Sequence, residues 1–114
     1  MIKKLILGLT LSISLNASFT DGNRLVEDMN EYKIWNNGNK DVSYDKVMGF
    51  MGYVSGVSDT LNGILICYPK NVTLGQVNAI VIKYIENNPD KWNQSANYLI
   101  SAPLMKIFPC KKKK

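Results

Sequence analysis

The stretch Thr73-Leu74-Gly75-Gln76-Val77-Asn78-Ala79-Ile80-Val81-Ile82-Lys83-Tyr84-Ile85-Glu86, followed by Asn87-Asn88-Pro89, decides the fold class of this 114-residue chain. Thr73 and Gln76 stand three apart, the spacing at which each side chain can bond the other residue's free backbone amide and open a helix. Val77, Ile80, Val81, Tyr84 and Ile85 then recur at steps of three and four, so one face of that helix is apolar and must find a partner. Asn87-Asn88-Pro89 ends it, because proline disfavours helical geometry in the residue before it.

Downstream, an element from about Asp90 to Phe108 carries Trp92, Ala96, Leu99, Ile100, Leu104, Ile107 and Phe108 on one side. Pro103 lacks an amide hydrogen and collides with the preceding turn, which predicts a kink or break near Ser101. Pro109 stops the segment before Cys110.

Upstream, Tyr44, Val47, Met48, Met51, Val54, Ser58, Leu61 and Leu65 give helical spacing from Tyr44, behind Ser43, to about Ile66. Gly49, Gly52, Ser55 and Gly56 lie inside that span. Each helical glycine costs about 1 kcal/mol against alanine, which implies that another backbone packs closely near the helix middle. Asp59, one turn below the small face, reads as either solvent-facing or bonded to a neighbouring helix end, with the structural role preferred. Cys67 to Val72 is a connector. A first amphipathic helix runs from Asp21, its N-cap, to Tyr32, with Leu25, Val26 and Met29 inward. Trp35-Asn36-Asn37-Gly38-Asn39-Lys40 follows as a loop, since Asn-Gly breaks regular structure. Trp35 reads as a core-edge residue before it reads as a ligand contact, because large aromatics supply so much buried area. No alternating pattern is long enough for a sheet. The expected class is all-α, a single small domain of about four helices with one disulfide.

At the start, Lys3-Lys4 precede the apolar run Leu5 to Leu15, and Ala17 offers a small residue for cleavage before Ser18. This is the pattern of a secretory signal peptide over residues 1–17. At about ten residues the run falls short of the roughly twenty needed to span a bilayer, although an uncleaved anchor or a buried helix is the competing reading. No lipid-attachment cysteine follows, so no stable membrane insertion is expected. The expected domain then covers residues 18–110, with a basic tail at 111–114. The product is expected in an oxidising compartment, the periplasm, where Cys67 and Cys110, 43 positions apart, should pair. A zinc site is the alternative, but two cysteines and no histidine cannot supply the usual shell, and no cofactor is indicated.

The net charge of +5 is a matter of location. Removing Lys3, Lys4 and Lys111 to Lys114 leaves eight basic side chains against nine acidic ones, a net of −1 for the folded body. Nucleic-acid recognition needs basic residues set along a structured face, and none is evident. The lysine run is suited to anionic surfaces such as lipid headgroups or cell-wall polymers.

No catalytic constellation emerges. Without histidine, imidazole bases are excluded, and paired cysteines offer no thiolate. Asp21, Glu27, Asp28, Glu31, Asp41, Asp45, Asp59, Glu86 and Asp90 are scattered, and no pair stands out for glycoside hydrolysis. The glycines lie in a helical pattern, not in a phosphate loop. Asn16, Asn71 and Asn93 begin Asn-x-Ser/Thr triplets, which matter only in a host that glycosylates exported chains. Binding, not enzymatic catalysis, is the expected task.

Four pieces in order, Asp21-Gly22-Asn23-Arg24-Leu25, Gly52-Tyr53-Val54-Ser55-Gly56-Val57-Ser58-Asp59, Cys67-Tyr68-Pro69 with Val72-Thr73-Leu74-Gly75-Gln76, and Phe108-Pro109-Cys110, give a chain that resembles the Tai-like family of type VI secretion amidase immunity proteins. The resemblance covers nearly the whole chain after the leader. It implies a periplasmic helical protein, working as a homodimer, that binds a peptidoglycan amidase effector and pushes a loop and a helix surface into its active-site cleft. Two departures stand out. The family's second cysteine pair is replaced by Met29 and Phe50, two large apolar residues, and Pro103 sits where a helix former is usual. The resemblance carries over no contact residue. On the grounds that rigidly held loops are where binding usually lives, the partner-binding candidates are Trp35, Asn37 and Lys40 in the first loop and Tyr68, Lys70 and Asn71 beside the disulfide. The competing function is a periplasmic binding or chaperone-like stress protein without a toxin partner. The absence of histidine removes the usual means of switching such a protein near neutral pH.

Overall fold

The computed structural model describes residues 20–111; the expected signal peptide and the last three lysines lie outside them. Four α-helices follow one another: α1 (Gly22–Asn36), α2 (Tyr44–Leu61), α3 (Leu74–Asn87) and α4 (Ala96–Ile107), with a 3-10 turn at Pro89–Lys91. No strand occurs among the described residues, only isolated bridges. The architecture is all-α, as the periodicity required.

The helices begin where side chains can take up free amides. Asp21 Oδ1 accepts from the Arg24 amide at 2.9 Å. Thr73 Oγ1 accepts from the Gln76 amide at 3.1 Å while Gln76 Oε1 accepts from the Thr73 amide at 2.8 Å, a complete capping box. Ser95 caps α4 by accepting from the Tyr98 amide.

Three expectations about helix limits are corrected. First, α1 does not stop at Tyr32 but continues to Asn36. Tyr32 and Trp35 extend its apolar face, and Gly38 at φ +97° makes the exit. Trp35 is therefore helical and not a loop residue. Second, α2 ends at Leu61, not near Ile66. Asn62-Gly63 breaks it: Gly63 takes φ +84° and its amide donates to the Ile66 carbonyl at 2.7 Å. Leu65, counted as an inward position, is exposed, whereas Ile66 is fully buried. Third, the last element breaks at residues 92–95, and α4 passes through Pro103 without a break at Ser101. Proline forfeits a single backbone bond there, while Leu99, Ile100 and Leu104 are completely buried around it.

One core joins the elements. Leu25 and Met29 from α1, Val47, Phe50 and Val54 from α2, Val81 and Ile85 from α3, and Leu99, Ile100 and Leu104 from α4 are at most 1 % exposed. Met29 and Phe50 both lie in this core. The Phe50 ring stands 5.1 Å from Tyr32. Cys67 and Cys110 form the disulfide. The start of α1 is held by the chain before α4: the Gly22 amide donates to the Gln94 carbonyl at 2.7 Å and the Ala96 amide to the Thr20 carbonyl at 2.9 Å.

The glycines of α2 also depart from expectation. Gly49 faces Asp28, whose carboxylate would stand 3.0 Å from a Cβ placed there, but Gly52 and Gly56 have open space before them. No other backbone thus approaches Gly52 or Gly56 within one chain. Asp59 is exposed and makes no side-chain bond to a neighbouring helix end, so it faces solvent.

Candidate functional site

The six candidate contact residues fall into two groups at opposite ends of α2. Trp35, Asn37 and Lys40 precede its N-terminus, and Tyr68, Lys70 and Asn71 follow its C-terminus. At 1.5 Å per residue the 18 residues of α2 separate them by about 27 Å. One compact contact patch cannot contain both groups.

At the first end, Trp35 is half-buried with its ring 6.0 Å from that of Tyr32, packed on the core edge. Asn37 and Lys40 are exposed. The loop is internally braced. The Asp41 amide donates to Asn39 Oδ1 at 2.9 Å, the Ser43 amide to Glu31 Oε1 at 2.8 Å, and the Tyr44 hydroxyl to the Lys40 carbonyl at 3.2 Å. Lys33 and Glu86 close an ion pair between α1 and α3 beside it.

At the second end, the Tyr68 hydroxyl shares a 2.5 Å hydrogen bond with the buried Ser58 hydroxyl, and its ring meets Phe108 edge-on at 5.0 Å. Tyr68 is therefore part of the support, with its polar tip engaged. Lys70 and Asn71 project beyond it, exposed, and Asn71 adopts φ +74°. Asparagine is among the residues that tolerate this left-handed backbone. The Cys67 amide donates to the Phe108 carbonyl at 2.8 Å, so the disulfide and a backbone bond pin this loop to the end of α4. The Ser58 support was not legible in the sequence, because it depends on where the connector folds back.

A groove of about 480 Å³ opens along α2 between Tyr53, Val57, Thr60, Leu61 and Asn97, floored by Gly52 and Gly56. It carries no charged side chain. Tyr84 of α3 and Tyr98 of α4 act on one another. Burial, then the hydrogen bond to Tyr98 and its charge, push the Tyr84 phenol up to about 12. The same hydrogen bond, then Lys91, whose Nζ lies 6.0 Å from the ring, hold the Tyr98 phenol below its ordinary value. Among the described residues no group of histidine, cysteine, aspartate or glutamate side chains could hold a metal ion, and no helix is long and apolar enough to cross a membrane. The arrangement offers two braced, exposed loops on a rigid helical body, which is a geometry for binding a macromolecule.

No curated protein and no solved structure matches the chain. A family model does: that of the Rap1a immunity proteins matches residues 21–110, from the N-cap of α1 to the second half-cystine, and so takes in nearly all of the described fold. The chain belongs to the Rap1a immunity proteins, a family of type VI secretion immunity proteins whose task is to bind a toxin partner.

Proposed function

We propose that this protein is a periplasmic immunity protein that binds a type VI secretion peptidoglycan amidase and blocks its active site, without catalytic activity of its own. The observation that carries the reading is the coincidence of the family match with the whole disulfide-closed helical body. The resemblance of Gly52 to Asp59, Cys67 to Pro69 and Phe108 to Cys110 to the Tai-like pattern supports an amidase as the target. Residues 1–17 act as the signal peptide, and export brings Cys67 and Cys110 to an oxidising compartment. The functional form is a homodimer.

Of the two exposed loops, the one at 67–72 is the better inhibitor element. Its disulfide, its backbone bond to Phe108 and the Ser58–Tyr68 contact hold Lys70 and Asn71 in place, so little conformational freedom is lost on binding. Trp35, Asn37 and Lys40 then contribute a secondary contact, by way of the second protomer or a separate part of the toxin.

The test is co-purification with the amidase encoded beside the gene, followed by a peptidoglycan hydrolysis assay. A stable complex that stops hydrolysis is expected. K70A/N71A should weaken inhibition more than N37A/K40A, with melting temperature unchanged in N37A/K40A and lowered by about 5 °C in K70A/N71A, because alanine accepts the φ of +74° at residue 71 less readily than asparagine. Hydrolysis untouched by excess protein would overturn the amidase reading, and client binding without any effector would favour the chaperone-like alternative. Mass spectrometry of the periplasmic protein should give an N-terminus at Ser18, and light scattering a mass of two chains.

A further inference from the structure

We propose that the groove between α3 and α4 is a docking surface for the toxin, seating an aliphatic side chain from an acidic surface segment whose carboxylates are met by Lys83 and Lys106. The groove, about 360 Å³, is lined by Ile80 and Tyr84 of α3 and Pro103 and Ile107 of α4, with Lys83 and Lys106 among its walls. Ile107, the last residue of α4, is 53 % exposed. The walls are held by the fold. Val81 and Ile85 of α3 and Leu99, Ile100 and Leu104 of α4 are wholly buried in the shared core, the Trp92 indole N–H donates to the Ile85 carbonyl at 2.8 Å, and the Asn88 amide group donates to the Tyr84 carbonyl at 2.8 Å. A groove made in advance loses little conformational freedom when it is filled.

Its charge selects the occupant. No carboxylate lines the groove, both lysines are exposed, and neither takes part in an ion pair among the described residues. Lys83 and Asn87 also line a second cleft, about 300 Å³, whose α1 wall includes Asn36 and Asn37. The one carboxylate there, Glu86, is engaged by Lys33. Asp90, whose charge reaches Tyr84, lines neither cleft. Lys83 and Lys106 are thus uncompensated cations beside an apolar slot, and the complementary surface is aliphatic with negative charge next to it. Because the two clefts share Lys83 and Asn87, the surface runs from α1 across α3 to α4. A protein covers such an extent, where a small ligand fills a single pocket. Binding a toxin is the task of the family, and this surface joins Asn37 of the first loop to the α3–α4 groove.

This inference rests on the reading of the chain as an amidase inhibitor and adds the place and the chemistry of a contact. Protein purified from the exporting cell is bound to the amidase encoded beside its gene, with association and dissociation rates followed by surface plasmon resonance at low and high salt. Lysine acetylation of the free and bound chain is read by mass spectrometry. Lys83 and Lys106 are expected to lose reactivity in the complex. K83Q/K106Q should slow association about tenfold and flatten its salt dependence. I107S should speed dissociation about tenfold. Circular dichroism should be unchanged in both variants, since all three side chains are exposed. Slowed association with both lysines still reactive in the complex would mean steering from a distance and would overturn docking in the groove. An unchanged dissociation rate in I107S would overturn it too, while inhibition by the wild-type chain kept the amidase reading intact. Protection of both lysines in concentrated chain without amidase would make a second copy the occupant and overturn the proposal. An amidase that does not bind the wild-type chain at all would overturn both readings together.

Discussion

Gly22 lies directly against the backbone carbonyl of Trp92, with no room for a side chain between the first turn of α1 and the segment that leads into α4. A Cβ at Gly22 would collide with that carbonyl oxygen and stand 2.6 Å from Leu99 Cδ1. The carbonyl is fixed backbone and the leucine is wholly buried, so neither yields cheaply. Gly22→Ala should lower stability by about 1–3 kcal/mol, measured by urea denaturation, despite the better helix propensity of alanine. An unchanged midpoint would mean that this packing is looser than described.

Gly52 and Gly56 predict the reverse. Nothing lies within 4 Å of a Cβ at either position. Gly52→Ala and Gly56→Ala should each raise stability by up to about 1 kcal/mol, read as a melting-temperature gain of about 5 °C at protein concentrations where the chain is monomeric. A loss that appears only at concentrations where the chain self-associates would indicate that a second copy's backbone occupies this face.

The disulfide closes 43 residues that include the 67–72 loop, α3 and α4. C67A/C110A should cost about 4 kcal/mol on the chain-entropy account, or on the order of 20 °C in melting temperature. Thermal denaturation with and without reductant tests this, and a fall of only a few degrees would contradict it.

Tyr68→Phe removes the partner of Ser58, a residue only 6 % exposed. The expected loss is about 1 kcal/mol, with the ring contact to Phe108 preserved. Comparing toxin affinity and stability in this variant separates support from contact. A fall in toxin affinity larger than that produced by K70A/N71A, with stability lowered by no more than about 1 kcal/mol, would make Tyr68 itself part of the interface.

Tyr84 and Tyr98 give a pH signature. Because the folded state holds the Tyr84 phenol at about 12, above its unfolded value of 10.0, its neutral form favours folding. That contribution is complete below pH 10.0 and is lost as pH rises toward about 12. Tyr98, depressed, works in the opposite sense: its stabilisation is present above its unfolded value and is lost as pH falls through the folded one. Absorbance titration of the phenolates should show one step on each side of the ordinary range. Tyr98→Phe should delete the lower step and draw the Tyr84 step back toward 10.0, leaving the effects of burial and of the Asp90 charge; a Tyr84 step that stays put would rule out the influence of Tyr98.

Much of the fold was legible because local signals and burial agree. Thr73 and Gln76 wrote the start of α3 in side chains that bond each other, and Val77, Val81 and Ile85 wrote its buried face. Where local signals competed, the reading erred. Asn62-Gly63 carries the same breaker as Asn37-Gly38, yet the apolar spacing through Leu65 hid it. Pro103 marks a weak point in any isolated helix, but the burial of Leu99, Ile100 and Leu104 outweighs one lost backbone bond. For the candidate site, exposure of Asn37, Lys40, Lys70 and Asn71 followed from turn chemistry. Their separation along α2, the engagement of Tyr68 by Ser58 and the groove between α3 and α4 are long-range or three-dimensional facts that periodicity does not encode.

The bonds that join Thr20 and Gly22 to residues 94–96 bear on how the molecule comes into being. The earliest part of the fold to be synthesised has its partners among the last, and Cys67 likewise waits for Cys110. On the export proposed above, a chain threaded through a secretion channel from its N-terminus cannot complete α1's docking, or close its only covalent ring, until nearly every residue has emerged. In that setting premature folding, which would jam translocation, is disfavoured by topology itself.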